Sequence, residues 1–192
     1  METKNYSAIY RIMHWAIAIC MSLILITIFL RMNWMNKDHV AEIIRNFMST
    51  TDQSLSQDQL IVLAKQIRKP MWDWHIYIGY VMVGLFSIRL LLPLFGEMKF
   101  SNPFGKAFTA KEKFQHGVYL FFSIGVTISL ITGMFIEFGP KTLKNQMEDI
   151  HILSIYYLVA FLVIHFGGVL IAELTSQQGI ISRMVSGSRK SQ

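Results

Sequence analysis

The chain has 192 residues, of which 53% are hydrophobic and only 16% are charged, and its formal net charge is +6. This composition excludes an ordinary soluble domain of the same length and indicates a membrane protein. The positive charge alone does not indicate nucleic-acid binding, because no other feature of the sequence supports that role.

Four apolar stretches are each long enough to cross a bilayer core, which takes about 20 residues of helix. They cover residues 9–30, 72–95, 114–138 and 150–172. We therefore predict an all-α fold, an integral membrane up-and-down four-helix bundle, with residues 1–192 forming a single domain.

The connection between the first two spans, residues 31–71, is too long for a bare hairpin loop. Within "DHVAEIIRNFM" four apolar residues share one helical stripe and predict a short amphipathic helix: Val40, Ile43, Ile44 and Phe47. The segment "SQDQLIVLAKQIRKP" predicts a second short helix, which begins with a Ser56/Gln59 capping box and ends at Pro70. These extramembrane helices would cap the bundle, dock a partner or form a packed lid without a specific function.

The orientation follows from the positive charges in the connections. The side that carries the N-terminus, loop 96–113 and the C-terminal tail holds ten Lys and Arg residues with Arg89 included, and the other side holds eight. Because positive charge favours the cytoplasmic side, this small excess predicts that both termini are cytoplasmic.

The histidines are the main candidates for function, because an ionisable side chain inside a membrane is costly and marks a functional site by default. The sixth histidine, His39, belongs to the connection, and five lie within the spans: His14, His75, His116, His151 and His165.

Depth along the spans assigns partners to four of these histidines. His151 and His165 are fourteen residues apart, and fourteen helical residues rise about 21 Å through nearly four whole turns. These two residues would thus share a face at opposite membrane depths. In an up-and-down bundle His14 lies at the depth of His165, and His75 lies at the depth of His151. Each pair can hold one iron between two axial imidazoles, which predicts two haems.

Other metal chemistry fits the sequence less well. A single zinc ion needs ligands that converge at about 2 Å, whereas the two histidine pairs are separated by about 20 Å of helix rise. Cys20 is the single cysteine, so no cysteine-ligated iron–sulfur cluster and no C-x-x-C-H haem attachment is present. The haems would therefore be non-covalent, that is, of b type.

The sequence resembles a known family. The segments "YRIMHW", "WHIYIGYVMVGLFSIRLLL", "HGVYL" and "GIISRMVSG", together with the histidine order and spacing, are similar to the prokaryotic cytochrome b561 family and to the related b-type cytochrome subunits of nickel–iron hydrogenases. The resemblance covers all four spans and the tail, and leaves out mainly residues 31–71.

The resemblance implies a dihaem cytochrome b of the bacterial inner membrane that carries electrons between a redox partner and quinone or another acceptor. Such proteins are stand-alone quinone-linked oxidoreductases or cytochrome subunits of larger dehydrogenase complexes, and the sequence does not choose between these roles. Carried over by position, His14 and His165 would bind one haem, and His75 and His151 the other. Arg11 and Arg89 would lie near the propionates of the first haem.

The sequence departs from the family in two places. Stand-alone quinone-linked members often have an extra histidine and lysine soon after the last ligand, whereas "FGGVLIAELTSQQG" has neither. The tail is more similar to that of the hydrogenase-type subunits, but those subunits usually have a fifth span, whereas four spans are predicted here.

Two alternatives remain open at the sequence level. By depth, His116 lies on the His14/His165 side, where it is a candidate for quinone binding or proton uptake, a rival ligand to His14, or an interfacial residue without a role. The alternative function is a proton-coupled transporter of a small solute or metal that uses the intramembrane histidines. Inverted repeats and broken midplane helices, which often accompany transport, are not evident in the sequence.

Overall fold

The computed structural model describes residues 6–51, 53–98, 109–175 and 177–187, and the regular structure in these ranges is helical throughout. The elements in chain order are α1 (Ala8–Met32), α2 (Lys37–Met48), α3 (Gln57–Leu91), a 3₁₀-helix (Leu92–Phe95), α4 (Ala110–Phe138), α5 (Lys144–Ile152), α6 (Ser154–Leu174) and α7 (Ile180–Ser186). The all-α prediction is therefore confirmed.

Four helical segments are long and apolar enough to cross a membrane, as predicted. They are Ala8–Met32, Gln57–Phe95, Ala110–Phe138 and Lys144–Leu174. Each contains one predicted span and extends beyond it on at least one side. The third and fourth segments begin earlier than hydropathy indicates because their first turns are polar and do not register as apolar sequence.

The chain divides into two compact units. The larger unit contains Met1–His14 and Ser87–Gln192, and the smaller unit contains Trp15–Phe86. The boundaries fall inside α1 and α3, so each of these helices contributes to both units. The single domain expected from the sequence stays a prediction.

The extramembrane part of the smaller unit has its own apolar core, formed where α2 and the first turns of α3 pack together. Its buried residues are Val40, Ala41, Leu60 and Ala64, with Ile44, Leu55 and Ile61 packed against them. The predicted stripe on α2 is therefore partly wrong, because Ile43 and Phe47 are 54% and 67% exposed. The packed face of α2 instead includes Ala41, which is 1% exposed.

The capping box at the start of α3 is confirmed. Gln59 Oε1 accepts the backbone N–H of Ser56 at 2.8 Å, and Ser56 Oγ accepts the backbone N–H of Gln59 at 3.3 Å. A helix end without such partners leaves backbone donors unsatisfied, so the box explains why α3 begins here.

The predicted end of this helix at Pro70 is wrong, because α3 continues through Pro70 to Leu91. A proline inside a helix removes one backbone hydrogen bond and costs about 3 kcal/mol. Two contacts support the helix at this point: Lys69 Nζ lies 2.7 Å from Asp73 Oδ2 one turn later, and the Arg31 guanidinium lies 4.5 Å from the centre of a Trp72 ring. The second extramembrane helix and the second span are thus one continuous element.

The fourth span also differs from the prediction, because it consists of α5 and α6 on either side of Leu153. Leu153 N–H donates to Ile150 O, and Tyr156 N–H donates to Leu153 O, both at 3.2 Å. These bonds join residues three apart, so the chain is wound more tightly here than in an α-helix. His151 and His165 therefore lie on two successive helices and not on one unbroken helix.

The predicted orientation rests partly on residues 99–108 and on the two chain ends, which lie outside the described residues. It stays a prediction.

Candidate functional site

The structure brings His14 and His165 together within the larger unit. His14 belongs to α1 and His165 to α6, and their ring centroids lie 6.0 Å apart with the ring planes at 43°. Both rings are only partly exposed. The sequence assigned this pair by membrane depth alone, and the structure supplies a side-chain separation that can be compared with the size of a metal site.

Two imidazoles that bind one metal each place a nitrogen about 2.0–2.1 Å from it, and bond lengths put that nitrogen about 1.1 Å from the ring centre. These lengths predict about 6.3 Å between the two ring centroids. The observed 6.0 Å differs from this value by a few tenths of an ångström. The separation of His14 and His165 would therefore suit one metal held by a nitrogen of each ring.

Aromatic side chains surround His165. The Phe161 ring is stacked on it at 5.3 Å and 16°, and Phe122 is stacked on Phe161 at 3.7 Å and 18°. The Tyr119 hydroxyl from α4 lies 3.4 Å from His165 Nδ1. This contact occupies Nδ1 and leaves Nε2 as the nitrogen for a metal.

Open space flanks this histidine on its own helix. A Cβ atom built on Gly167 or Gly168 meets no described atom within 4 Å. Gly168 lies one turn after His165, and a macrocycle held by His165 needs a small residue there, because a larger side chain would occupy the same volume. Gly168 thus fits the predicted cofactor, although small residues also mediate ordinary helix packing.

His151 is held by α4 through its Nδ1 atom. This nitrogen lies 3.0 Å from the Ser129 carbonyl oxygen and 3.1 Å from Thr132 Oγ1. Gly133 makes room for the ring, since a Cβ atom there would lie 3.2 Å from His151 Cε1. His151 and His165 both contact α4, so the break at Leu153 does not turn them towards different neighbours.

His75 is held within the smaller unit in a similar way. Its Nδ1 lies 2.8 Å from Thr27 Oγ1 of α1. Trp72, one turn earlier on α3, stacks on the His75 ring at 4.6 Å and 4°, and the Arg31 guanidinium lies over a ring of Trp72. Because His75 and His151 belong to different units, their pairing stays a prediction.

Arg11 and Arg89 both lie in the larger unit with His14 and His165. Arg11 Nη1 donates to the Val185 carbonyl at 3.2 Å, and Arg89 Nη1 donates to the Met98 carbonyl at 3.0 Å. Arg11 Nε is buried without a hydrogen-bond partner among the described residues. A cation in this state suits an anionic group, so the donor chemistry fits the propionate role implied by the resemblance, which stays a prediction.

The C-terminal tail contributes contacts that sequence reasoning missed. Glu173, at the end of α6, accepts the backbone N–H groups of Gly179 at 2.7 Å and Ile181 at 3.2 Å, and so caps α7. Burial raises the pKa of Tyr6 at the other end of the chain, while the positive charge of Arg183 on α7 opposes this shift. In the sequence, this cap could have been predicted from a glutamate at the end of one helix and a glycine, Gly179, just before the next.

His116 lies half-buried near the start of α4. The next residue, Gly117, lines an apolar groove of about 320 Å³ between α4 and α6. The residues that line the groove are Phe114, Gly117, Val118, Phe121, Tyr157, Ala160, Phe161 and Ile164. The groove is a candidate site for an apolar ligand. The role of His116 in quinone binding or proton uptake stays a prediction.

No cluster of three or more His, Cys, Asp or Glu side chains suited to a bare metal ion occurs among the described residues. His75, His151 and His165 instead each have Nδ1 close to an oxygen atom that orients the ring.

Comparison with known proteins gives one match. A family model described as prokaryotic cytochrome b561 matches residues 5–187, nearly the whole chain. Searches of curated proteins and of solved structures give no match.

Proposed function

From the premise that this chain belongs to the prokaryotic cytochrome b561 family, we propose that it is a dihaem cytochrome that carries electrons across the membrane between a redox partner and quinone or another acceptor. Family membership makes the chain a membrane-embedded b-type cytochrome that binds b-type haem and transfers electrons. The proposal adds the number of haems, their ligands and the acceptor.

The observation that carries the proposal is the separation of His14 and His165, 6.0 Å between ring centroids. When bound, b-type haem supplies reversible one-electron chemistry, and the protein supplies its position and surroundings. His14 and His165 would hold the haem iron, and two histidine ligands would leave no position at the iron for oxygen. Phe161 and Phe122 provide the apolar surroundings that tune the potential.

The second haem is assigned to His75 and His151. Each residue has its Nδ1 within 3.1 Å of an oxygen atom, so each can present Nε2 to a metal. Two centres at different depths would give a path through the membrane, as the family resemblance implies.

The exchange with quinone is assigned to the His14/His165 side of the larger unit. His116 is half-buried and precedes Gly117, a residue that lines the apolar groove, and imidazole exchanges protons near neutral pH. Arg11 and Arg89 would bind the propionates of the haem on this side. The groove supports an apolar ligand, and the histidine supplies the proton chemistry that quinone reduction requires.

The surroundings of the protein complete the proposal. The chain would lie in the bacterial inner membrane with both termini in the cytoplasm, either as a stand-alone oxidoreductase or with a soluble or periplasmic dehydrogenase subunit. Exposed apolar residues on α2, Ile43 and Phe47, support a docking role for the extramembrane segment. The family match gives no support to the transporter alternative.

The test is a reduced-minus-oxidised absorption spectrum of the detergent-purified protein, with pyridine haemochrome quantification per chain. We expect two b-type haems, with one lost in His165→Ala and one in His75→Ala. His39→Ala, outside the predicted spans, is the matched control and should retain both.

Two results would contradict the proposal. A colourless protein after expression with ample haem would exclude it altogether. Loss of a haem in His116→Ala, with both retained in His14→Ala, would replace the first ligand pair and leave the general function standing.

A further inference from the structure

Two buried threonines each contact a histidine of the second predicted haem site. Thr27 and Thr132 are 7% and 4% exposed, and they are the buried polar residues of the described chain. Thr27 Oγ1 lies 2.8 Å from His75 Nδ1, and Thr132 Oγ1 lies 3.1 Å from His151 Nδ1. The threonines belong to different helices and different units, so a contact between Thr Oγ1 and His Nδ1 occurs at two separate places.

The hydrogen atoms at His75 can be assigned from the geometry. Thr27 Oγ1 also lies 2.6 Å from the Ile24 carbonyl oxygen, which only accepts hydrogen bonds. The single hydroxyl hydrogen of Thr27 is therefore donated to Ile24. Thr27 Oγ1 must then accept towards His75, so His75 Nδ1 carries a hydrogen and the lone pair of the neutral ring is on Nε2.

The same assignment holds at His151 for a different reason. Its Nδ1 lies 3.0 Å from the Ser129 carbonyl oxygen, so this nitrogen has to be the donor. The Thr132 hydroxyl hydrogen goes to the Ile128 carbonyl at 2.8 Å or to the Ser129 carbonyl at 3.0 Å. Thr132 Oγ1 thus accepts from His151 as well, and the lone pair of this ring is again on Nε2.

We infer that Thr27 and Thr132 are positioning residues for haem, which fix the ring orientation and the Nε2-binding tautomer of His75 and His151. The inference rests on the proposed function, because it requires that these two histidines bind iron. An acceptor on Nδ1–H raises the electron-donating power of an imidazole and stabilises ferric over ferrous iron. The two threonines therefore lower the reduction potential of the haem or haems bound there.

The test substitutes each threonine with valine, which keeps the shape and removes the acceptor. We expect Thr27→Val to retain both haems and to reduce the ferric-over-ferrous preference of one haem by up to about tenfold, an upward potential shift of about 59 mV for one electron. Thr132→Val should shift the potential less, because the Ser129 carbonyl still accepts from His151. The ferric low-spin electron paramagnetic resonance signal of one haem should move in both variants.

Three further variants separate positioning from general stability. Thr127→Val is the matched control, because Thr127 lies on α4 but donates its hydroxyl only within that helix, to Ser123 O. Thr27→Ser keeps the hydroxyl and should restore the wild-type potential and spectrum. Thr27→Ala replaces the valine variant if the latter does not fold.

The outcomes distinguish this inference from the proposed function. If His75→Ala and His151→Ala lose haem while Thr27→Val and Thr132→Val keep wild-type potentials and spectra, the positioning role is overturned and the haem ligands stand. If both alanine variants retain two haems, the ligand assignment fails and the inference falls with it. An equal potential shift in Thr127→Val would also overturn the positioning role, because a contact with histidine would not be its cause.

Discussion

The close contact between Gly133 and His151 gives a substitution whose effect can be worked from the structure. A Cβ atom at residue 133 would lie 3.2 Å from His151 Cε1 and 3.6 Å from Nδ1. Ordinary carbon contacts are about 3.5–4.0 Å, so Gly133→Ala should push the ring away by about 0.3–0.8 Å. A movement of this size would lengthen the bonds from His151 Nδ1 to Ser129 O and Thr132 Oγ1, now 3.0 and 3.1 Å, and so weaken them at the lower end of this range and break them at the upper end.

The stability change should be small although the site is disturbed. Overpacking costs about 1–3 kcal/mol, but replacing glycine by alanine in a helix gains about 1 kcal/mol. We therefore expect a net loss of at most about 2 kcal/mol. The altered ferric spectrum and weaker binding of one haem should thus appear in a protein that still folds.

The assay combines thermal unfolding in detergent, haem content and the ferric paramagnetic resonance spectrum. Gly125→Ala is the matched control, since a Cβ atom there would lie 3.0 Å from the Tyr157 ring, an even closer contact on the same helix that involves no histidine. An unchanged spectrum in Gly133→Ala, or the same haem change in Gly125→Ala, would refute the reasoning.

Three further predictions concern single contacts. Pro70→Ala should raise the unfolding free energy by up to about 3 kcal/mol, because α3 regains a backbone hydrogen bond. Thermal unfolding checks this prediction, and a less stable variant would mean that Pro70 makes a packing contact that stabilises the protein more than the lost hydrogen bond would. Tyr119→Phe should shift the potential of one haem only slightly, because its hydroxyl is 3.4 Å from His165 Nδ1; a redox titration showing a tenfold change in ferric-over-ferrous preference would contradict a weak bond. Glu173→Ala should cost about 1 kcal/mol by removing the cap of α7, and unfolding measurements with Glu173→Gln, which can still accept, should show a smaller loss.

The spans and the main candidate site could be predicted because their signals are contained in single segments. An apolar run of about 20 residues predicts a spanning helix whatever its neighbours are, and Ser56 with Gln59 predicts a cap from residues three apart. His14 and His165 could be paired because membrane depth is fixed by position along a span.

The errors and omissions depend on contacts between segments. Pro70 was predicted to end a helix, but support at this point includes Arg31, a residue of another helix. Leu153 interrupts the fourth span without a proline or glycine next to it, so no local signal was available. Thr27 was missed because a threonine in an apolar helix usually bonds its own backbone, and only the fold shows that His75 is its second partner.

Substitutions at two glycines with open space beside them test the proposed haem flank and the proposed quinone site in the groove separately. No described atom lies within 4 Å of a Cβ atom built on Gly168 or Gly117, so leucine at either residue should fold and gain up to about 1 kcal/mol of helix propensity. Gly168 lies one turn after His165, and Gly117 lines the groove.

Gly168→Leu should therefore lose one haem, while Gly117→Leu should retain both haems and reduce quinone more slowly. Haem quantification and quinone reduction, measured on both variants, check this pair. Retention of both haems in Gly168→Leu would mean that the open space beside Gly168 faces lipid, because a side chain that contacts only acyl chains would not displace a macrocycle. Unchanged quinone reduction in Gly117→Leu would likewise remove the groove from the quinone site and leave His116 without an apolar ligand to serve.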